Sequence, residues 1–258
     1  MPRTLALLLL LTLPFTPLPG QSDISNQAKP ERIYDVEVIL FRNESVPRGR
    51  ETVLPTASPE LPARSIDFSN PDSAARAARD GFKPLTDAQL RLKAERQRLD
   101  ASRRYRVLKH FGWRQPGLAA DDTRAIRVRG GRFYDNSYES IDEAMNADAA
   151  GETRRGLYEL EGWLRVSLSR YLHTEANLVL REPAKPEQIA QTRNGQRVPP
   201  IDSSGRKLLI NYPLKEKRRM RSKRLHYLDH PEYGLLVLIT PYQPAAAVKP
   251  AASASGSE

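Results

Sequence analysis

Apolar and polar positions alternate with period two in several stretches, and each such stretch predicts a strand. The first is residues 33–41, IYDVEVILF. Ile33, Asp35, Glu37 and Ile39 fall on one face. Tyr34, Val36, Val38, Leu40 and Phe41 fall mostly on the other. Ala125–Arg129 (AIRVR) is a shorter strand that runs into Gly130-Gly131. Leu157–Leu168 alternates cleanly, with Leu160, Gly162, Leu164, Val166 and Leu168 opposite Glu159, Glu161, Trp163, Arg165 and Ser167. Ser169-Arg170 make a turn and Tyr171–Leu180 returns, so the pair predicts a hairpin. Lys207–Tyr212 begins a further strand. Leu235–Ile239 is a dense apolar run bounded by Gly234 and Pro241, and it predicts a buried strand.

Helical patterning is strongest in the stretch between the first two strands, and residues 135–155 read as a loop carrying at most a short helix. Asn70-Pro71 reads as a cap and first turn for a short Ala/Arg helix ending at Gly81. Thr86-Asp87-Ala88-Gln89 has the form of a capping box. No Pro or Gly follows until Gly112. Leu90, Ala94, Ala101, Tyr105 and Leu108 form an apolar stripe with Leu92 and Leu99 beside it. Arg91, Lys93, Arg96, Arg98, Arg103 and Arg106 clothe the remainder, either as a solvated face or as an envelope-facing surface. The pattern predicts one helix of about 25 residues, roughly 37 Å long, capped at Gly112 and stopped by Pro116. Trp113 reads as a packing anchor.

These elements predict an α+β fold: a mainly antiparallel sheet packed against one long helix, with long loops. The loops are residues 42–70, with four prolines, the acidic residues 135–155, and residues 182–205. The first twenty residues pair Arg3 with an apolar core from Leu5 to Leu13, which is signal-peptide length and too short to span a bilayer. Gly20 is a plausible last residue of that signal, and no membrane span is expected in the mature chain. The expected organisation is a signal peptide at 1–20, a disordered linker at 21–31, one domain at 32–243 and a low-complexity, disordered tail at 244–258.

Charge changes the picture. The net charge is +10. Inside a cell this would point to nucleic acid. In an exported protein it points to anionic envelope polymers, headgroups or acidic proteins, and nucleic acid is not an expected partner. There is no cysteine, so neither a disulfide nor a cysteine nucleophile is available. The basic run Lys215, Lys217, Arg218, Arg219, Arg221, Lys223 and Arg224 has no apolar face. It reads as a solvated strand or loop, or as a site for an acidic partner.

Few residues offer catalytic or metal chemistry. Asp35 and Glu37 are a carboxylate pair on one face, which more often lies on the solvated side of a strand than in an acid–base site. His226 and His230 are four apart, but Pro231 disfavours a helix there, and on a strand about 13 Å separates them. They read as hydrogen-bonding residues that pin a turn. His110 and His173 are the other histidines; His173 reads as structural or surface-lying, and no metal or cofactor is expected. Ser222, His226 and Asp229 are too close in sequence for a triad, whose members come from distant segments. No phosphate-binding loop, dinucleotide fingerprint, G-x-S-x-G or H-E-x-x-H is present.

Four separated segments carry a resemblance: YDVEVILFRN at 34–43, the H-x-x-W-x-Q-P of 110–116, the G-x-L-x-V-x-L-x-RYLH-x-x-x-NL of 162–178, and RRMRS with LHYLDHP at 218–231. In order and wording they resemble the CsiV family, periplasmic proteins of Gram-negative bacteria described as peptidoglycan-binding. The resemblance implies a non-catalytic, periplasmic peptidoglycan-binding protein that supports cell-wall synthesis and cell shape. It also implies a partner, an outer-membrane lipoprotein activator of a bifunctional penicillin-binding protein. A protein–protein adaptor without direct wall binding, and a wall hydrolase using the Asp35/Glu37 or His226/His230 pairs, are the other function classes. The candidate ligand-binding residues are Arg218, Arg219 and Arg221 as carboxylate contacts, with Tyr227 and Trp163 as stacking surfaces.

Overall fold

The computed structural model describes residues 32–45, 58–142, 156–184, 190–191, 197–198 and 205–243. The chain order is β1 (Ile33–Asn43), β2 (Ser65–Ile66), α1 (Pro71–Arg79), β3 (Lys83–Pro84), α2 (Lys93–Ala101), β4 (Tyr105–Pro116), β5 (Ala125–Tyr134), β6 (Tyr138–Ser140), β7 (Leu157–Leu168), β8 (Leu172–Pro183), β9 (Ala190–Gln191), β10 (Arg197–Val198), β11 (Lys207–Met220), β12 (Leu225–His230) and β13 (Tyr233–Pro241). The strands form a five-stranded sheet, β12-β13-β1-β4-β3, and a six-stranded sheet, β2-β5-β7-β8-β11-β6, besides the β9–β10 pair. Antiparallel pairing dominates; β2–β5 and β11–β6 are parallel.

The two sheets share one core. Val36, Val38, Leu40, Leu235, Val237 and Ile239 of the first sheet meet Ile126, Val128, Leu160, Leu164, Leu178 and Leu180 of the second, all but fully buried. The other face of the first sheet is covered as well. There Ile39, Phe41 and Leu92 form a second cluster, with Leu236 and Leu238 packed against it. Burial on both faces explains why β1 and β13 read as near-continuous apolar runs. Each such side chain contributes about 1.5–3 kcal/mol when fully buried.

The strands at 33–43, the 157–183 hairpin and 233–241 fall where the alternation placed them. The short helix α1 also forms, with the Asn70 side chain accepting the Ser73 N–H at 2.9 Å. The long helix does not exist. Thr86 and Gln89 make their capping box around a single 3-10 turn at Asp87–Gln89, and α2 lasts nine residues. From Tyr105 the chain becomes β4, paired along β1 from Asn43↔Tyr105 to Ile33↔Pro116. The reason is tertiary. β1 is central and needs a partner on both edges for its backbone groups. Tyr105, Val107, Phe111 and Trp113 suit a pleated surface. That pairing outweighs a helix preference of tenths of a kcal/mol per residue. Gly112 is thus no helix cap. It lies in mid-strand, where a Cβ would sit 2.8 Å from the Val36 carbonyl oxygen and from Leu85 Cδ1. The architecture is therefore two β-sheets with two short helices, in place of one sheet against a long helix.

The loop expectations are met only in part. Within 42–70 and 135–155 the described residues include β2 and β6, and within 182–205 β9 and β10; the rest of those stretches, with 1–31 and 244–258, lies outside the described residues. Gly130-Gly131 do not end a strand: β5 continues to Tyr134 through a bulge between Gly130 and Phe133.

Candidate functional site

Asp35 and Glu37 do not face solvent. Their side of β1 is roofed by the 85–92 segment, and both are buried. Glu37 accepts the N–H groups of Arg91 at 2.7 Å and Leu92 at 2.8 Å, and its Oε1 lies 2.8 Å from His110 Nε2. Burial raises its pKa, but the His110 hydrogen bond and the two backbone N–H groups outweigh that and hold it below its usual 4.5. Asp35 takes both ends of Arg114, at 2.7 and 3.1 Å. Glu37 anchors the roof, and Asp35 ties β1 to β4 through Arg114. Both carboxylates are already saturated with donors, which leaves them poorly placed for proton transfer.

The basic run forms a corner between the sheets. β11 belongs to the six-stranded sheet and β12 to the five-stranded one, so residues 221–224 carry the chain across. Met220 and Leu228 bury themselves on either side of that corner. Lys223 turns the chain with a positive φ of 62°, and its N–H reaches the Ile239 carbonyl at 2.7 Å. His226 Nε2 accepts the Arg221 N–H at 3.0 Å. His230 Nδ1 accepts the Glu232 N–H at 3.1 Å in the next turn. The two histidines thus pin different turns. Burial pushes the His230 pKa down. Asp229 accepts the Tyr227 hydroxyl at 2.5 Å, so Ser222, His226 and Asp229 do not line up as a triad. Among the described residues, no three metal-ligating side chains gather.

The three arginines singled out differ in commitment. Arg218 donates to the Tyr227 carbonyl and pairs with Glu216 at 3.2 Å. Arg219 lies 4.6 Å over the exposed Tyr171 ring. The Arg221 side chain makes no ion pair among the described residues, nor do Lys223 and Arg224. Tyr227 is 44% exposed and stacks on Phe41 at 6.0 Å, with 13° between the planes. Trp163 is not part of this surface. It sits on β7, in the cross-strand row Arg127–Trp163–Asn177–Lys215, two strands from β11. It is half-buried, and its Nε1 donates to the Glu60 carbonyl at 3.0 Å.

Beside the corner lies a polar cleft of about 590 Å³, lined by Lys223, Arg91, Gln89, Arg114, Asp35 and Tyr242 among others. Arg114 is fixed between Asp35 and the Tyr242 ring, 3.2 Å from its centroid. Arg91 and Lys223 carry cations with no acidic partner among the described residues. Arg114, Tyr171 and Tyr242 were not among the residues the pattern marked. Arg114 had a signal, since it lies directly opposite Asp35 once the β1–β4 register is known. Arg91 was marked only as one cation of a basic helix face; its place beside the corner depends on the roof that Glu37 holds.

Exposed cations beside exposed rings suit a polymer bearing both carboxylates and sugar faces. The family model described as "Peptidoglycan-binding protein, CsiV" matches residues 4–242, nearly the whole chain. The chain belongs to the CsiV family. Membership in a peptidoglycan-binding family implies a place in the cell envelope. No curated protein and no solved structure matches it. Among the described residues, no helix is long and apolar enough to cross a membrane.

Proposed function

We propose that this CsiV-family chain is a non-catalytic periplasmic protein that binds peptidoglycan at the β11–β12 corner and the cleft beside it. A cleaved signal at 1–20 exports it. Residues 32–243 act as one domain between a linker and a tail. It supports wall synthesis and cell shape together with an outer-membrane lipoprotein activator of a bifunctional penicillin-binding protein. The observation that carries the reading is Lys223 and Arg91 lining one cleft without ion pairs among the described residues, with Arg221 and Arg224 beside Lys223 in the same corner, Arg219 over the exposed Tyr171 ring and the exposed Tyr227 on β12. Stem-peptide carboxylates meet the cations, and sugar faces meet the rings.

The test is co-sedimentation with purified peptidoglycan at low and moderate salt. Two variants go beside the wild type: Arg218→Ala/Arg219→Ala/Arg221→Ala, and Arg221→Ala/Lys223→Ala/Arg224→Ala, which touches only side chains without ion pairs. Wild type sediments at moderate salt and both variants stay in solution. Equal loss of all three at moderate salt means non-specific charge attraction, which overturns the reading.

An adaptor that binds an acidic envelope protein is the second reading. It is favoured by β12, an edge strand that exposes Leu225 and Tyr227 at 44% each beside the cationic corner. Such an adaptor keeps a stoichiometric protein complex in salt while losing wall affinity.

A further inference from the structure

A second cavity lies where the two sheets meet, away from the basic corner. It holds about 240 Å³ between β4, β5 and the 67–69 turn. Its floor is apolar, with Phe68, Leu85, Phe111 and Val128. Phe111 is braced by Trp113, whose ring is 5.6 Å away and nearly parallel. The volume is below the roughly 300–1,000 Å³ of pockets that enclose drug-sized ligands. It matches a piece the size of one or two small residues.

The rim is built and mostly neutralised. Asp67 pairs with Arg129, which also donates to Ser69 Oγ at 2.8 Å, and Asp67 accepts the Ser69 N–H at 3.0 Å. Arg127 is held by Glu161 at 3.0 Å. Burial raises the Asp67 pKa, but the Ser69 hydrogen bonds and the Arg129 and Arg127 charges more than reverse it, so the clasp stays ionised. One lining charge is left over. Lys109 is exposed and makes no ion pair among the described residues. A small apolar floor with one uncommitted cation at its mouth is complementary to a carboxylate carried on a short, small-side-chain body. An uncharged group gains no ion pair from Lys109.

We propose that this seam pocket takes the free C-terminal end of a wall stem peptide, its carboxylate at Lys109 and its alanine methyl groups on Phe111, Phe68 and Leu85. The assignment to wall peptides rests on the peptidoglycan reading above. The corner then holds the polymer, and the pocket distinguishes strands whose peptides still have a free end from those already cross-linked there.

The experiment is an amide chemical-shift titration of the chain with acetyl-D-alanyl-D-alanine, its C-terminal amide and the L,L isomer. It is run on wild type, Lys109→Gln and Phe68→Ala. Lys109→Gln removes an exposed, unpaired charge and leaves the fold intact. The expected result is saturable shifts at Phe111, Gly112 and Val128 with the D,D acid, in the millimolar range. Affinity falls at least tenfold for the amide and for Lys109→Gln, and the L,L isomer binds more weakly. Unchanged binding of the acid by Lys109→Gln overturns the proposal, as do equal affinities for acid and amide, equal affinities for the two isomers, or shifts absent from these residues. Wall co-sedimentation reads the other claim separately. If the chain fails to sediment yet binds the dipeptide, the corner reading fails and the pocket stands. If it sediments but ignores the dipeptide, only the pocket fails.

Discussion

Glu159→Gln isolates the charge that ties the two sheets together. Glu159 lies on β7 with no solvent exposure. Its Oε1 takes Arg42 of β1 at 2.9 Å and Arg106 of β4 at 2.5 Å, and its Oε2 takes the Arg132 N–H at 2.9 Å. Arg42 also pairs with Glu182 of β8, and Arg106 with Glu44 at 2.9 Å. Glutamine keeps the volume and one acceptor oxygen, but it loses the charge and turns an NH2 toward a guanidinium or N–H that needs an acceptor. Breaking a buried pair by removing one partner costs about 3–5 kcal/mol. Here Arg42 retains Glu182, Arg106 retains Glu44, and Arg106 is a third exposed, so the loss falls at about 3 kcal/mol. In a domain of this size that lowers Tm by about 6–12 °C. The assay is thermal and urea unfolding followed by circular dichroism, repeated from neutral to acid pH. Burial raises the Glu159 pKa, but the hydrogen bonds from Arg106, the Arg132 N–H and Arg42 outweigh it and hold it below 4.5. Since the folded pKa is depressed, its stabilisation is complete above the unfolded value and lost as pH falls through the folded one. The gap between wild type and variant is therefore widest at neutral pH and closes below about pH 4.5. A variant within about 0.5 kcal/mol of wild type at neutral pH, or a gap that does not change with pH, refutes the reasoning.

Three other outcomes follow from the packing of the two sheets. Gly112→Ala forces a Cβ to within 2.8 Å of the Val36 carbonyl, so it lowers stability in urea by about 1–3 kcal/mol; an unchanged midpoint would show that β1 and β4 can separate freely. Leu235→Ala, fully buried between the sheets, costs about 2–5 kcal/mol by the same measurement. His230 has its pKa lowered by burial, against the opposing pull of Asp229. The folded state thus favours the neutral ring, and the stability it contributes is present above 6.5 and lost as pH falls. His230→Phe flattens the fall in stability below pH 6.5, and an unaltered slope there contradicts this account.

How much of this was legible in the chain differs by element. The β7–β8 hairpin was visible because one face packs on the shared core, which writes period two, and β1 and β13 because both faces are buried, which writes a near-continuous apolar run. The 86–116 stretch was misread because its local signals are those of a helix. A capping box, alanines, arginines and a spaced leucine stripe are all present, and only the β1 edge turns Tyr105–Pro116 into a strand. Asp35 and Glu37 looked solvated for a related reason. The roof that buries them comes from residues 85–92, and Glu37 itself holds it in place. The Arg42–Glu159–Glu182 network joins residues more than a hundred positions apart, so no window along the sequence could reveal it. Within the candidate site, the basic run and Tyr227 could be picked out from composition. Which of its cations are free depends on Glu216, Tyr171 and the Tyr227 carbonyl, and so on the fold.

The most direct test of wall binding at the corner is an amide chemical-shift titration of the chain with soluble glycan strands that carry stem peptides. The account predicts saturable shifts at residues 219–227 of the corner, with Arg91, Arg114 and Tyr242 of the cleft moving alongside. Saturation without perturbation there, or shifts centred on the outer face around Trp163 alone, would contradict it.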